Sequence, residues 1–270
     1  MDARTWIRSS TLAYAALVAS TVGADAQTPQ WGIAATYPIA AGAVAVDVAD
    51  LNLDGMLDVV AIPVQGSGGA TVMLGQPGGT FQVQPVVAGS GLYGPSLALG
   101  LLDGDSFPDA FTGYLMHGNG DGTFTQAPVQ PVGFGGVTAV AVGDFNGDGR
   151  NDLVATNFGL LRIALADGVG GFLLPKAYPS YGFVDYLTVA DVDADGDLDI
   201  VATCGDTYSA TILTNNLPTG FSAQAYSRNG ASRVAVGDFT GDSTPRCLST
   251  ILRHGTCEIS ELQRRRPRWL

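Results

Sequence analysis

Glutamate, lysine and histidine are almost absent from this chain of 270 residues. It has two Glu, both near the C-terminus, one Lys (Lys176) and two His (His117 and His254). Glu and Lys are strong helix formers, whereas Gly, Val and Thr, which are abundant here, are not, so the composition excludes a mainly helical protein and predicts an all-β fold. The shortage of His and Glu leaves no His-based triad, zinc site or Glu general acid. We therefore predict that the chain is not an enzyme.

Basic residues are also scarce. The chain has 13 Lys and Arg against 25 Asp and Glu, which gives a formal net charge of −12. This balance argues against nucleic acid and anionic membranes as partners. The three Cys (Cys204, Cys247 and Cys257) form an odd set that predicts neither a disulfide framework nor a zinc site.

The first 26 residues have the pattern of a secretory signal peptide. Arg4 and Arg8 form a basic region before an apolar stretch over 11–22, and an A-x-A cleavage site covers 24–26. The apolar stretch is shorter than the roughly 20 residues that cross a membrane, and no second hydrophobic span follows. We expect a mature chain from Gln27 that is secreted, periplasmic or held at the cell surface, with no membrane span.

A nine-residue acidic loop of the form D-x-[DN]-x-D-G-x-x-D recurs along the chain. The copies are DLNLDGMLD from Asp50, LLDGDSFPD from Leu101, DFNGDGRND from Asp144, DVDADGDLD from Asp191, and an incomplete DFTGDSTP from Asp238. The spacings are 51, 43, 47 and 47 residues, and sixteen of the 25 acidic residues fall in these five segments. The regular spacing identifies a true internal repeat.

A second landmark repeats in phase with the loops. After each of the first four loops comes a Gly-rich turn that ends in Phe, at Phe81, Phe124, Phe172 and Phe221. Short alternating or β-branched segments lie between the landmarks, so each repeat accommodates about four strands, which is the size of a propeller blade. The sequence predicts a β-propeller of four-stranded antiparallel blades, with four recognisable blades and a partial fifth.

The acidic loops have the spacing of ligands for a hard cation. Oxygen-bearing side chains stand at positions 1, 3, 5 and 9, Gly stands at position 6, and position 7 offers a backbone carbonyl, which suits Ca²⁺. Asp, Asn and Gly are also common turn formers, but three complete copies at regular spacing favour metal binding. An EF-hand is excluded because position 12 is Ala61, Ala155 or Ala202 rather than Glu. The predicted Ca²⁺ ligands are Asp50, Asn52, Asp54, Met56, Asp58, Asp103, Asp105, Asp109, Asp144, Asn146, Asp148, Arg150, Asp152, Asp191, Asp193, Asp195, Asp197 and Asp199.

The segments VAVGDFNGDGRNDLVAT (140–156) and LTVADVDADGDLDIVAT (187–203), with the turn HGNGDGTF (117–124), resemble FG-GAP/VCBS repeats. These are the calcium-loop propeller repeats of integrin α-subunits and of many secreted bacterial proteins. The resemblance covers about 31–245. It implies blades of four antiparallel strands, Ca²⁺ in the hairpin between the first two strands, and non-catalytic roles in adhesion, matrix or carbohydrate binding.

Two copies depart from the pattern of the family. Copy two has Leu101 at position 1 and Ser106 in place of Gly. Copy five has Thr240 and Ser243 and lacks the closing Asp, because Arg246 stands in its place.

The sequence divides into a signal peptide (1–26), the propeller repeats (27–245) and an atypical basic tail (246–270). The tail holds six of the 13 basic residues, both Glu and two of the three Cys. It is either a basic segment with its own partner or, as we favour, the product of a reading-frame shift. Arg246-Cys247 can be encoded by CGA-TGT-C, and the same bases read one position later, as GAT-GTC, encode Asp-Val, the pair found at Asp58-Val59. We expect it to be disordered or poorly packed.

The segment WGIAATYPI (31–39) resembles FLLPKAYPS (172–180), so we expect it to be the last strand of a blade that the two ends of the chain share. The predicted function is that of a secreted calcium-binding module for adhesion or for an extracellular glycan or protein. The alternative is an accessory propeller of a larger secreted polysaccharide-degrading enzyme. The candidate ligand contacts, for each of which packing between blades is the alternative role, are Tyr93, Phe134, Tyr181, Phe183 and Asp185.

Overall fold

The computed structural model of the chain describes residues 35–39, 43–63, 70–84, 92, 95–157, 159–207, 209–227, 231–239, 246–253 and 256–262. The predicted signal peptide and Tyr93 lie outside these residues. Every regular element within them is a β-strand, so the described part of the chain contains no helix long and apolar enough to cross a membrane.

The strands form five antiparallel sheets in which sequence neighbours pair with one another. Sheet one contains β1 (Ala43–Ala49), β2 (Asp58–Pro63), β3 (Thr71–Gln76) and β4 (Thr80–Val83). Sheet two contains β5 (Ala98–Gly100), β6 (Asp109–Phe111), β7 (Leu115–Gly118) and β8 (Phe124–Gln126). Sheet three contains β9 (Val140–Gly143), β10 (Asp152–Asn157), β11 (Leu160–Ala164) and β12 (Lys176–Pro179). Sheet four contains β13 (Val184–Ala190), β14 (Asp199–Cys204), β15 (Ser209–Asn215) and β16 (Phe221–Ser227). The fifth sheet contains β17 (Ala231–Gly237), β18 (Arg246–Arg253) and β19 (Thr256–Leu262).

The first strands of consecutive sheets lie side by side. β1 packs beside β5, β5 beside β9, β9 beside β13, and β13 beside β17. Apolar clusters fill the space between neighbouring sheets: Ile62 and Leu99 belong to one cluster, Phe111 and Leu153 to a second, and Leu161 and Ile200 to a third. Because each inner sheet is covered on both faces, every residue of β10 and β14 is buried. The predicted all-β propeller, with four four-stranded blades and a partial fifth, is confirmed.

The basic tail differs from its prediction. β18 and β19 pair with each other, and β18 continues the sheet from β17 with Gly237 opposite Arg246. The expectation of disorder therefore does not hold for 246–253 and 256–262. Strand pairing uses backbone groups, and the tail is rich in Thr, Ile and Leu, so a ladder forms even without the Asp that closes the other loops. The reading-frame shift stays a hypothesis about the origin of this segment.

The predicted strand over 31–39 is described only at 35–39. These residues form no ladder with another described residue. They nevertheless lie against sheet one, since the Tyr37 hydroxyl accepts a hydrogen bond of 3.0 Å from the backbone N–H of Phe81.

Candidate metal centre

Each acidic loop joins the first strand of a sheet to the second. The loop of sheet one lies between β1 and β2, and the loops of sheets two, three and four lie at the same place in their own sheets. The loops therefore lie where the family resemblance implies, in the hairpin between the first and second strands. In all four sheets the Asp at position 9 is the first residue of the second strand.

The Asp at position 9 ties three parts of its blade together. Asp58 accepts a backbone hydrogen bond from Leu51 at 2.8 Å on one carboxylate oxygen and from Gly75 at 2.7 Å on the other. Asp152 does the same with Phe145 and Ala166, both at 2.8 Å. Together, the two bonds connect the second strand to the acidic loop and to the end of the third strand.

The same two bonds recur in the other sheets. Asp109 accepts them from Leu102 and Gly118, and Asp199 accepts them from Val192 and Asn215. All four Asp side chains are fully buried, with no exposed area. Sequence reasoning missed this fastening role. The signal for it is that copy two keeps the Asp at position 9 although it lacks the acid at position 1.

Burial makes these four carboxylates reluctant to ionise. It raises the pKa of Asp109, Asp152 and Asp199 to about 6, from an ordinary value of 3.8. It also raises the pKa of Asp58. The backbone hydrogen bonds act in the opposite sense but do not offset the loss of hydration.

The Asp at position 1 folds the loop around its own carboxylate. In copy four the Asp191 carboxylate accepts hydrogen bonds from the backbone N–H groups of Asp195 at 3.2 Å and Gly196 at 3.0 Å. Gly196 has a φ of 98°, a left-handed conformation that glycine adopts without strain. Asp50 and Asp144 make the equivalent bonds in copies one and three. Copy two, with Leu in place of this Asp, lacks the acceptor for them.

Copy four brings three carboxylates together. Oxygen atoms of Asp191, Asp193 and Asp195 lie within 4.8 Å of one another. Like charges at this separation repel, and carboxylate oxygens are the ligands that Ca²⁺ prefers, so this donor set fits the predicted ion. Asp199 is not part of that group, and its role as a metal ligand stays a prediction.

In the other copies, amide or basic side chains contact the acidic side chains of the loop. In copies one and three position 3 is Asn, and its side-chain amide donates to the Asp at position 5 at 3.0 Å and 3.2 Å. Copy three also places the Arg150 guanidinium 3.5 Å from the Asp148 carboxylate. In copy two the His117 imidazole lies 3.4 Å from the Asp103 carboxylate.

The structure separates the aromatic ligand candidates into buried and exposed side chains. Phe134 is 1% exposed and makes an edge-to-face contact with Phe111, with ring centroids 5.7 Å apart. It therefore has the alternative role of core packing. Tyr181 and Phe183, by contrast, are 51% and 61% exposed in the loop between β12 and β13.

This aromatic loop (181–183) lies at the end of sheet four opposite the acidic loop, because β13 runs from one to the other. Tyr181 has a φ of 58°, which is uncommon for a residue with a side chain. The Asp206 carboxylate accepts a hydrogen bond of 2.9 Å from the Phe183 N–H, so the turn between β14 and β15 holds the loop. Asp185 is exposed and lies against Gly205. No sequence signal distinguishes Asp206 from an ordinary turn residue.

Fold and loops define a class of protein, a β-propeller in which each of the four four-stranded blades carries an acidic loop in the first hairpin. Residues 102–155 and 144–202 match the family model of the FG-GAP-like repeat. The chain thus contains FG-GAP-like repeats over residues 102–202. No curated protein matches it significantly in sequence.

Several solved structures are similar in fold. A lectin of Agrocybe aegerita that recognises non-reducing terminal N-acetylglucosamine superimposes with a TM-score of 0.55 and 19% identity, over 80% of this chain and 65% of the lectin chain. The Tc holotoxin pore of Photorhabdus luminescens gives a TM-score of 0.52 and 19% identity, over 94% of this chain and 12% of the toxin chain. The biofilm matrix protein Bap1 of V. cholerae gives a TM-score of 0.46 and 19% identity, over 72% of this chain and 30% of the Bap1 chain. The chain thus spans less than two thirds of each of these proteins, and at this identity the likeness concerns the fold.

Proposed function

We propose that the chain is an exported, calcium-binding and non-catalytic module that binds an extracellular glycan through the aromatic loop. The observation that carries this proposal is the exposure of Tyr181 and Phe183, two residues apart on one loop. The likeness in fold to a lectin supports the same class of ligand.

The aromatic loop has the chemistry that a sugar ring requires. Exposed aromatic faces pack against the apolar C–H face of a ring, while carboxylates and hydroxyls accept and donate hydrogen bonds at its edge. Asp206 and Thr207 are exposed at the same end of sheet four. The left-handed backbone of Tyr181 costs conformational energy, and such strain is typical of functional loops.

Calcium has a structural part in this proposal. Bound Ca²⁺ supplies positive charge that offsets the repulsion among acidic side chains. In copy four Asp191, Asp193 and Asp195 would hold it, and the backbone carbonyl of Asp197 would be a further ligand. Because this loop and the aromatic loop lie at opposite ends of β13, the ion stabilises sheet four without touching the glycan.

A glycan array on the mature chain tests the ligand, with Tyr181→Ala and Phe183→Ala as variants. Phe239→Ala is the matched control, because Phe239 is 53% exposed in the acidic loop of the fifth sheet, at the other end of the blades. We expect either aromatic-loop variant to weaken binding at least about tenfold and the control to leave it unchanged. An array without any binding, or equal binding by all four proteins, would contradict the proposal.

Titration calorimetry tests the metal. We expect copies one, three and four to bind Ca²⁺ in the extracellular range of roughly 10⁻⁴–10⁻³ M, with copy four tightest. Asp195→Ala should remove the tightest site, whereas Asp167→Ala should not, since Asp167 is an exposed carboxylate in a turn outside the acidic loops. No calcium heat, or an identical titration for Asp195→Ala, would refute the assignment.

A further inference from the structure

A tyrosine on the last strand of one blade contacts the next blade. The Tyr178 hydroxyl, on β12 of sheet three, accepts a hydrogen bond of 3.4 Å from the Phe221 N–H on β16 of sheet four. The two rings meet edge to face with centroids 5.6 Å apart. This contact marks where the fourth strand of a blade lies relative to the blade that follows it.

Tyr37 repeats that contact on sheet one. Its hydroxyl accepts the hydrogen bond of 3.0 Å from the Phe81 N–H, and the rings meet edge to face with centroids 5.5 Å apart. Tyr37 and Tyr178 are both half-buried, both stand between exposed neighbours and both precede Pro. Residues 35–38 therefore hold, relative to sheet one, the place of a fourth strand from a preceding blade.

Within the described part of the chain, the fifth sheet has no such fourth strand. Its order is β17-β18-β19, whereas the other four sheets have four strands each. Among the described residues nothing pairs with the outer edge of β19, and residues 35–39 pair with no strand. An unpaired edge presents a row of N–H and C=O groups to any matching strand.

The arrangement of the blades favours a partner from a second chain. Consecutive first strands pack together from β1 to β17, but among the described strands no comparable packing joins β17 to β1. Pairing 35–39 with β19 inside one chain would place sheet five beside sheet one, and the described strands of these two sheets show no such packing. Pairing between two chains does not depend on packing between β17 and β1 of the same chain.

We propose that residues 35–39 of one copy pair with β19 of a second copy and complete its fifth sheet. The contact is head-to-tail, so repeated pairing forms a closed ring or a longer assembly. The recognition is strand addition, in which backbone hydrogen bonds supply most of the attraction and Tyr37 supplies the register.

The register follows from sheet three. There Ala155 pairs with Arg162, which pairs with Ala177 on the fourth strand. The residue of β18 equivalent to Ala155, counted from the start of the strand, is Ser249, and it pairs with Ser260. The residue equivalent to Ala177, counted from the tyrosine, is Thr36. Thr36 of one copy is therefore placed opposite Ser260 of the other, and Tyr37 opposite Ile259.

Disulfide trapping between two different variants tests this register. One chain carries Thr36→Cys and the other Ser260→Cys, both with Cys247→Ser and Cys257→Ser. Opposed residues have Cβ atoms about 4.5–5.5 Å apart, close enough to be bridged after small adjustments. The remaining thiol, Cys204, is buried and does not compete. We expect a covalent dimer of the two chains on mild oxidation, and its loss on reduction.

The matched control moves one cysteine by one residue. Thr36→Cys mixed with Ile259→Cys should give at least about tenfold less dimer, because a shift of one residue places the two side chains on opposite faces of the sheet. Light scattering of the unsubstituted mature chain should show mass rising with concentration. The proposal is overturned if the mixed variants give no dimer, if the control cross-links equally well, or if a Thr36→Cys/Ser260→Cys chain forms only an internal disulfide as a monomer.

Discussion

Calcium-free protein should become more stable as the pH falls from 7 to 4. Asp109, Asp152 and Asp199 have a pKa of about 6 in the folded chain because they are buried, against an ordinary 3.8 that applies when the chain unfolds. Between these two values the folded state binds more protons than the unfolded state. Stability therefore rises as the pH falls through 6, and the gain is complete below about 4.

The size of the effect follows from the same values. A pKa displaced from 3.8 to about 6 corresponds to at most about 3 kcal/mol for each carboxyl group. Relaxation and water penetration reduce this ceiling, so we expect about 2–4 kcal/mol for the three groups together. For a chain of this size that is a rise in Tm of about 5–15 °C.

Scanning calorimetry at pH 7, 6, 5 and 4 measures the effect on calcium-depleted protein. In millimolar calcium the trend should reverse, because protons compete with the ion for the loop carboxylates. Asp152→Asn should reduce the pH dependence by about a third. Asp121→Asn should not reduce it, since Asp121 is exposed and its pKa is lowered by hydrogen bonds from Thr123. A calcium-free Tm that falls steadily between pH 7 and 4 would refute the reasoning.

Three further predictions concern packing. Gly118→Ala should destabilise the fold by about 1–3 kcal/mol in chemical denaturation, because the added methyl would meet a backbone carbonyl oxygen, whereas Gly135→Ala, with open space around it, should change little. Phe134→Ala should lower the free energy of unfolding by about 3–5 kcal/mol, because it leaves a cavity in the core. Phe183→Ala, at an exposed position, should lower it by under about 0.5 kcal/mol. Similar losses for the two variants would contradict the difference in their burial. The Cys204 thiol, whose pKa burial raises to about 11, should resist iodoacetamide at pH 8 in folded protein and react after unfolding, as mass spectrometry would detect; rapid labelling of the folded chain would disprove this.

Much of the fold follows from local sequence patterns. The acidic loop and the Gly-rich turn recur in phase, and both are defined by residues close in the chain, such as Asp50 and Gly55, whose carboxylate and N–H groups meet within one loop. The prediction that the loops lie between first and second strands is confirmed for the same reason. The prediction of disorder in the tail does not hold for β18 and β19, because the loss of the acidic motif does not remove the backbone groups that pair there.

The sequence by itself therefore determined the repeat, the strand-rich blades and the acidic side chains available to a cation, since each depends on contacts within a few residues. Only the tertiary structure decided which carboxylates are buried and which aromatic rings remain exposed. Asp58 is enclosed because Gly75, seventeen residues away, donates to it across the blade. Phe134 is covered by Phe111 of the preceding blade, whereas Phe183 lies in a loop that leaves its ring 61% exposed. Burial depends on which distant segments the packing of blades brings together, and no local pattern in the sequence records that.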